Sequence, residues 1–331
     1  MPDQFKLPQG QPALGRQRVR ILSLSGGGYR GLFSAQVLAR LEADLGGTDA
    51  AGGIGQRFDL IAGTSIGGIL ACALSLCVPA HRLVRLLVDH GPRIFPPLRL
   101  RAMRRYIGKA PYRPEPLRDA MVACLTPQVA ATPIARHPRP LLLTTLDWTT
   151  ASLHLLGSQA TPAEDALGLS FLDAMLATSA APTYFPPHRA RNHTFVDGGL
   201  VANAPDMLAL RCAREMWPTA QISMLSIGTA NPLGGRNPAD MPRRAYQWAV
   251  PVIEVLMHAQ ETRATAECAA ELGPQHYLRL NAHPGEAQTA HVALDTATDG
   301  STQILLGLAD ALVNDALAKQ RAQLHGILKS H

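Results

Sequence analysis

Aromatic residues are scarce in this chain, at 5% of 331 residues. That leaves little material for stacking bases, and with no recognised reading module it argues against nucleic acid as a partner. Charge is also modest: Asp, Glu, Lys and Arg make up 17% against 47% hydrophobic residues, too apolar a balance for a disordered chain. Cysteines number five, Cys72, Cys77, Cys124, Cys212 and Cys268, with no C-x-x-C spacing among them. An odd count without paired spacing fits a reducing compartment. The opening residues MPDQFKLPQGQPALGRQR hold no apolar core of a secretory signal, so a cytoplasmic chain is expected. Residues 60–80 carry no charge and approach the length that spans a bilayer, but Gly63, Thr64, Ser65, Gly67 and Gly68 interrupt the first half. A buried core helix is expected there instead. The net charge of +6 permits an anionic partner, such as a membrane surface or a phosphorylated ligand.

What is present is an alternation of strands and helices. Residues 19–31, VRILSLSGGGYRG, read as a strand entering a glycine-rich turn. The helix FSAQVLARLEADL follows, with Val37, Leu38, Leu41 and Leu45 on one face and Gly46-Gly47 as its stop. FDLIAG is the next strand, and a second small-residue turn leads into a second helix. Strand, turn, helix, twice over, predicts a mainly parallel sheet with helices against it. Both turns fall at carboxyl ends of strands, where open α/β sheets place ligands. Further strands are expected at 140–147, 152–157, 193–199, 221–228 and 277–280, and a terminal helix at 304–328. Ser170 with Asp173 forms a capping box for FLDAMLATSA, and Asn203 with Pro205 is expected to open a helix toward Trp217. No repeat or long linker interrupts this order. The expected organisation is a flexible segment 1–17 followed by one domain over 18–331.

Three sites carry candidate chemistry. Gly63-Thr64-Ser65-Ile66-Gly67 matches G-x-S-x-G, the turn that pushes a serine oxygen out toward substrate; the alternative is that Ser65 is merely small. Gly26-Gly27-Gly28 can aim backbone N–H groups at an anion beside a helix start, either a phosphate or the oxyanion of acyl transfer. It lacks the Lys-Ser/Thr of a P-loop and the spacing of G-x-G-x-x-G. A serine nucleophile needs a base. With twelve histidines a Ser-His-Asp triad stays open by count, although His81, His90, His137 and His154 look like ordinary surface or loop residues. Asp197 in Val196-Asp197-Gly198-Gly199 ends a short strand before two glycines, as an approachable base or as a turn former.

Together and in order, SGGGYRG, GTSIGG, ATSAAPTYFPP (177–187) and DGG resemble the patatin-like phospholipase family. The likeness spans residues 18–203, and LSIGTA and HYLRLN extend it to 281. It implies a three-layer α/β/α fold with a mainly parallel central sheet, and hydrolysis of acyl esters in lipids by a Ser-Asp dyad without histidine, metal or cofactor. Position by position, Ser65 resembles the nucleophile and Asp197 the base. The N–H groups of Gly26, Gly27 and Gly28 resemble the oxyanion hole, with Arg30, Gly63, Gly67 and Gly198 in support. Ser25 departs from the family pattern, standing where an aspartate often precedes the three glycines.

Residues 92–118, PRIFPPLRLRAMRRYIGKAPYRPEPLR, interleave basic and apolar side chains, with Arg99, Arg101, Arg104 and Arg105 at the centre. Such a segment suits either a solvated loop or the surface of anionic lipid, placing the enzyme at the inner face of the membrane. The short form also resembles the phospholipase effectors of bacterial anti-phage signalling (CBASS). That likeness implies activation by a cyclic dinucleotide such as cGAMP; the oligomeric state is not legible.

Overall fold

The computed structural model describes residues 18–45, 53–96, 110–158, 168–232 and 248–328. Among the described residues eight strands form one mixed sheet: β1 (Arg18–Leu24), β2 (Leu60–Thr64), β3 (Leu141–Asp147), β4 (Ser152–Ser158), β5 (His188–Ala190), β6 (His193–Asp197), β7 (Gln221–Ile227) and β8 (Tyr277–Leu280). Their order is β5-β6-β3-β2-β1-β7-β8, with β4 paired to β3. Pairs from β3 through β2, β1 and β7 to β8 are parallel; those of β3 with β4 and β6, and of β5 with β6, are antiparallel.

Helices of two turns or more are α1 (Gly31–Asp44), α2 (Ile66–Ser75), α3 (Ala80–Ile94), α4 (Pro114–Leu125), α5 (Phe171–Thr178), α6 (Asp206–Met216), α7 (Ala249–Leu272), α8 (Asp299–Lys319) and α9 (Arg321–Leu328). They lie on both faces. Because side chains alternate along a strand, Leu22 and Leu24 of β1 join the core under α1, α2, α3, α5 and α8, while Val19 and Ile21 join a second core with Ala209, Leu210 and Ala213 of α6 and Cys268 of α7. Two cores on one sheet make the three layers expected.

The predicted strands are all present, within two residues at each end. Other expectations need correction. The terminal helix begins earlier, at Asp299, and breaks at Gln320, which leaves helical geometry with φ −126°. Asn203 does not open α6, which starts at Asp206 after Pro205 without a side-chain cap; Asn203 instead stands at the C-cap of the single helical turn Gly199–Ala202. His137 is buried, and burial followed by the nearby Arg139 charge pushes its pKa down to about 4. The ends of the basic stretch are structural, since Ile94 closes α3 and Phe95 packs edge-on to Tyr112 and Phe185. Arg99, Arg101, Arg104 and Arg105 lie outside the described residues, as do Gly46-Gly47 and residues 1–17. Residues 60–80 form β2 and the buried α2, and among the described residues no helix is long and apolar enough to cross a membrane.

Candidate active site

The central strand β3 has two edges, and β4 occupies one of them along its whole length. The other edge is shared. β2 pairs with it as far as Thr64↔Thr144, and β6 takes over at Thr145↔Asp197. The end of β2 and the end of β6 therefore meet head-on beside one residue step of β3. Ser65 leaves β2 at the place where Asp197 ends β6.

Their side chains touch: Ser65 Oγ donates to Asp197 Oδ2 at 2.6 Å. Ser65 holds φ 56° and ψ −124°, a conformation that costs a non-glycine residue about 1–3 kcal/mol. Several contacts enforce it. Ser65 N–H donates to Thr178 Oγ1 at 2.9 Å, and that hydroxyl donates in turn to Thr144 O at 2.6 Å. Gly63 and Gly67 close the turn, because a Cβ on either would land on backbone, at Gly67 O and Leu24 O respectively. Gly198 sits equally close on Thr144. The turn is tight for steric reasons, and its product is an outward-facing hydroxyl at the head of α2.

Asp197 is 5% exposed. Burial pushes its carboxyl up to about 6, although the hydrogen bonds from Ser65 and from Gly199 N–H favour the ionised form. A base poised there takes a proton more readily than a solvated aspartate. No histidine among the described residues hydrogen-bonds to Ser65 or Asp197, so the geometry offers the serine this carboxylate.

The glycine loop lies across the carboxyl end of β1. Gly26 N–H donates to Asn203 O at 2.9 Å, which removes it from the expected oxyanion donors. The N–H groups of Gly27 and Gly28 have no hydrogen-bond partner among the described residues, and both glycines line the cleft that holds Ser65 and Asp197. Gly28 needs its φ of +58° and its lack of a side chain, since a Cβ would strike Leu294 O. Arg30 ends the turn behind them, its Nε buried without a partner among the described residues. Burial lowers its pKa, while Glu261 and Glu254 favour its charge.

The cleft has an empty volume of about 890 Å³, its open mouth included. Its walls are apolar, with Ile69, Leu87, Ile94, Phe95, Phe185 and Met257 among them. Its polar lining comprises Ser65, Asp197 and the glycine loop together with Ser179, Thr183, Tyr184 and Glu254. Such a cleft suits an ester carrying a long hydrocarbon chain, and the fold and site together define a lipid acyl hydrolase.

Comparison makes the assignment particular. The patatin-like phospholipase family matches residues 22–210, and this chain belongs to that family. A protein of Pseudomonas aeruginosa named cGAMP-activated phospholipase is 33% identical over 295 residues, covering 86% of this chain and 85% of its own. One of the same name from Escherichia coli is 31% identical over 333 residues, covering 93% and 92%. Among solved structures, human GIVD cytosolic phospholipase A2 aligns at a TM-score of 0.45 and 13% identity, over 94% of this chain and 60% of that one.

Glu261 and Arg279, which gather beside the glycine loop, escaped the sequence reading, and Asn203 was assigned to a helix cap. One signal was legible. An arginine inside the apolar strand YLRL requires a buried acceptor from elsewhere in the chain.

Proposed function

We propose that the protein hydrolyses fatty acyl esters of membrane phospholipids with Ser65 as nucleophile and Asp197 as general base. The observation that carries this reading is the 2.6 Å contact of Ser65 Oγ with the buried Asp197 carboxylate. In acylation the Ser65 proton passes to Asp197 as Oγ bonds to the ester carbonyl carbon. The tetrahedral oxyanion faces the N–H groups of Gly27 and Gly28, each worth on the order of 3 kcal/mol in measured cases. Collapse breaks the bond to the leaving oxygen, which takes the proton from Asp197. Water then attacks the acyl-enzyme, loses a proton to Asp197, and releases the fatty acid as Ser65 recovers its own.

Lipid access is supported by the first two turns of α7. Ile253 and Met257 line the cleft, while Trp248, Val252, Val255 and Leu256 of the same stretch are exposed at 39%, 39%, 51% and 49%. Exposed apolar groups beside an acyl cleft suit a lipid surface. The basic residues Arg99, Arg101, Arg104 and Arg105 would add attraction to anionic headgroups.

Control by a cyclic dinucleotide, cGAMP or a relative of it, is part of the proposal, as is a role in anti-phage defence at the inner membrane face. It draws on the names of the bacterial relatives and on the hazard of an unrestrained phospholipase inside a cell. Activation of about 100-fold requires the nucleotide to favour the open form by roughly 2.7 kcal/mol. The test is purified protein on mixed phospholipid vesicles with and without a panel of cyclic dinucleotides. Low basal hydrolysis that rises with one nucleotide is expected, together with calorimetric binding of that nucleotide to Ser65→Ala. Full activity without nucleotide and no heat of binding would leave a constitutive hydrolase.

A further inference from the structure

Beside the glycine loop, among residues that do not line the cleft, a buried polar cluster converges on one carboxylate. Glu261 of α7 is 5% exposed and has three partners. Its Oε2 accepts from Asn203 Nδ2 and from Asn231 Nδ2, each at 2.7 Å, and its Oε1 pairs with Arg279 Nη2 of β8. Each partner reaches the loop by a separate route. Arg279 Nη2 also donates to Ser25 Oγ at 3.0 Å, and its Nη1 donates to Ser226 Oγ at 2.7 Å. Asn203 accepts the Gly26 N–H on its main-chain oxygen, and its side-chain Oδ1 fills the space a Cβ on Gly26 would need. Asn231 Oδ1 accepts from Thr229 Oγ1 at 2.7 Å, and the same hydroxyl lies 3.2 Å from Gly26 O. Side chain 25, N–H 26 and C=O 26 are thus all tied to Glu261.

These ties hold the 25–26 and 26–27 peptide planes, the second of which carries the Gly27 N–H beside the cleft, while the 27–28 plane is held by Arg30 N–H donating to Gly27 O. An oxyanion donor works only if its direction is set before charge develops. A glycine run cannot set its own direction, because glycine has the widest backbone freedom of any residue. From this placement we infer that Glu261 is the positioning residue of the oxyanion loop, acting through Arg279, Asn203 and Asn231. The inference rests on the proposed role of Gly27 and Gly28. It also accounts for Ser25, which stands where the family resemblance places an aspartate: the carboxylate facing Arg279 at the loop comes from α7 instead.

Glu261→Gln keeps shape and one acceptor oxygen but removes the charge opposite Arg279 and puts an amide donor where an acceptor is required. A long-chain alkyl fluorophosphonate that labels Ser65, used with a short soluble ester, separates positioning from folding. The final stoichiometry of labelling counts intact sites, and the labelling rate reports loop alignment. Glu261→Gln is expected to label to full stoichiometry at a rate at least about 10-fold below wild type, with kcat lowered alike and KM for the ester within about two-fold. Ser25→Asp in the Glu261→Gln background restores a carboxylate to Arg279 and is expected to recover most of the rate. Should Glu261→Gln label at the wild-type rate, or lose activity only in proportion to lost sites, the positioning role is overturned. Should it fail to fold, Asn203→Ala and Ser25→Ala each cut one tie, and wild-type labelling rates in both would overturn it equally. Labelling is run with and without the cyclic dinucleotides of the panel, and wild-type protein that does not label at Ser65 in any of these conditions would instead refute the dyad reading, a distinct outcome.

Discussion

Replacing Asp197 with asparagine should disable the enzyme and stabilise it. The carboxyl is pushed up to about 6 from an ordinary 3.8, mainly by burial. A raised carboxyl binds a proton in the folded state that the unfolded chain has already released. Its favourable contribution is therefore complete below the unfolded value and lost as pH rises through about 6. At neutral pH the buried charge costs about 3 kcal/mol relative to the unfolded chain. Asparagine has no such cost. Its single oxygen can still accept from Gly199 N–H, but its NH2 then faces Ser65 Oγ and has no place for the serine proton. Urea unfolding of wild type and Asp197→Asn across pH is the assay. The stability of the variant relative to wild type should rise by about 3 kcal/mol between about pH 3 and about pH 7. Wild-type kcat/KM on a soluble ester should fall on the acid side with a midpoint near 6, while the variant has little turnover at any pH. A stability difference that ignores pH, or an acid limb near an ordinary aspartate value, would refute the reasoning.

Ser65→Ala should abolish hydrolysis with the fold intact by circular dichroism, and the double variant with Asp197→Asn should be hardly slower than either single one, because the two act as a unit. Gly67→Ala should be destabilised by more than about 3 kcal/mol or fail to accumulate, since its Cβ would land on Leu24 O; a normal melting temperature would contradict the close approach. Val255→Asp with Leu256→Asp should lower hydrolysis of phospholipid vesicles about 10-fold or more and spare a soluble ester, and equal loss on both would place these residues in the fold instead. Neutralising Arg99, Arg101, Arg104 and Arg105 together should weaken activity on anionic vesicles only, and added salt should reproduce that loss, each residue contributing roughly 1 kcal/mol.

The strands and both turns of the candidate site were legible because their causes are local. Short apolar runs that lead into small residues specify β1, β2 and β7, and the tight turn at Ser65 needs small neighbours within two residues of it. Ser65 and Asp197 were identified as a pair only by joining motifs 132 positions apart through resemblance. Nothing in either motif indicates that β3 passes one edge from β2 to β6. The oxyanion loop was half legible. Three glycines signal available N–H groups, but the loss of Gly26 to Asn203 depends on a residue 177 positions away whose neighbours suggested a helix cap. Glu261 was invisible for the same reason: α7 has little amphipathic contrast, and its one buried acid is explained only by β8 and the loop. Of the apolar residues in the basic stretch, Ile94 and Phe95 line the cleft, and Arg99, Arg101, Arg104 and Arg105 lie outside the described residues.

The shared edge of β3 also bears on when Ser65 and Asp197 can meet. Synthesis delivers Ser65 early and Asp197 much later, and the two are brought together only by the register of β6 against Thr145, Leu146 and Asp147. A slip of one residue in that pairing would turn the carboxylate to the opposite face of the sheet. Closing a contact of 132 residues is among the slower steps available to a chain of this kind. On the proposed dyad, the nascent protein carries a serine without its base, and lipolytic competence would arrive with the pairing of β6 on β3 rather than with either motif alone.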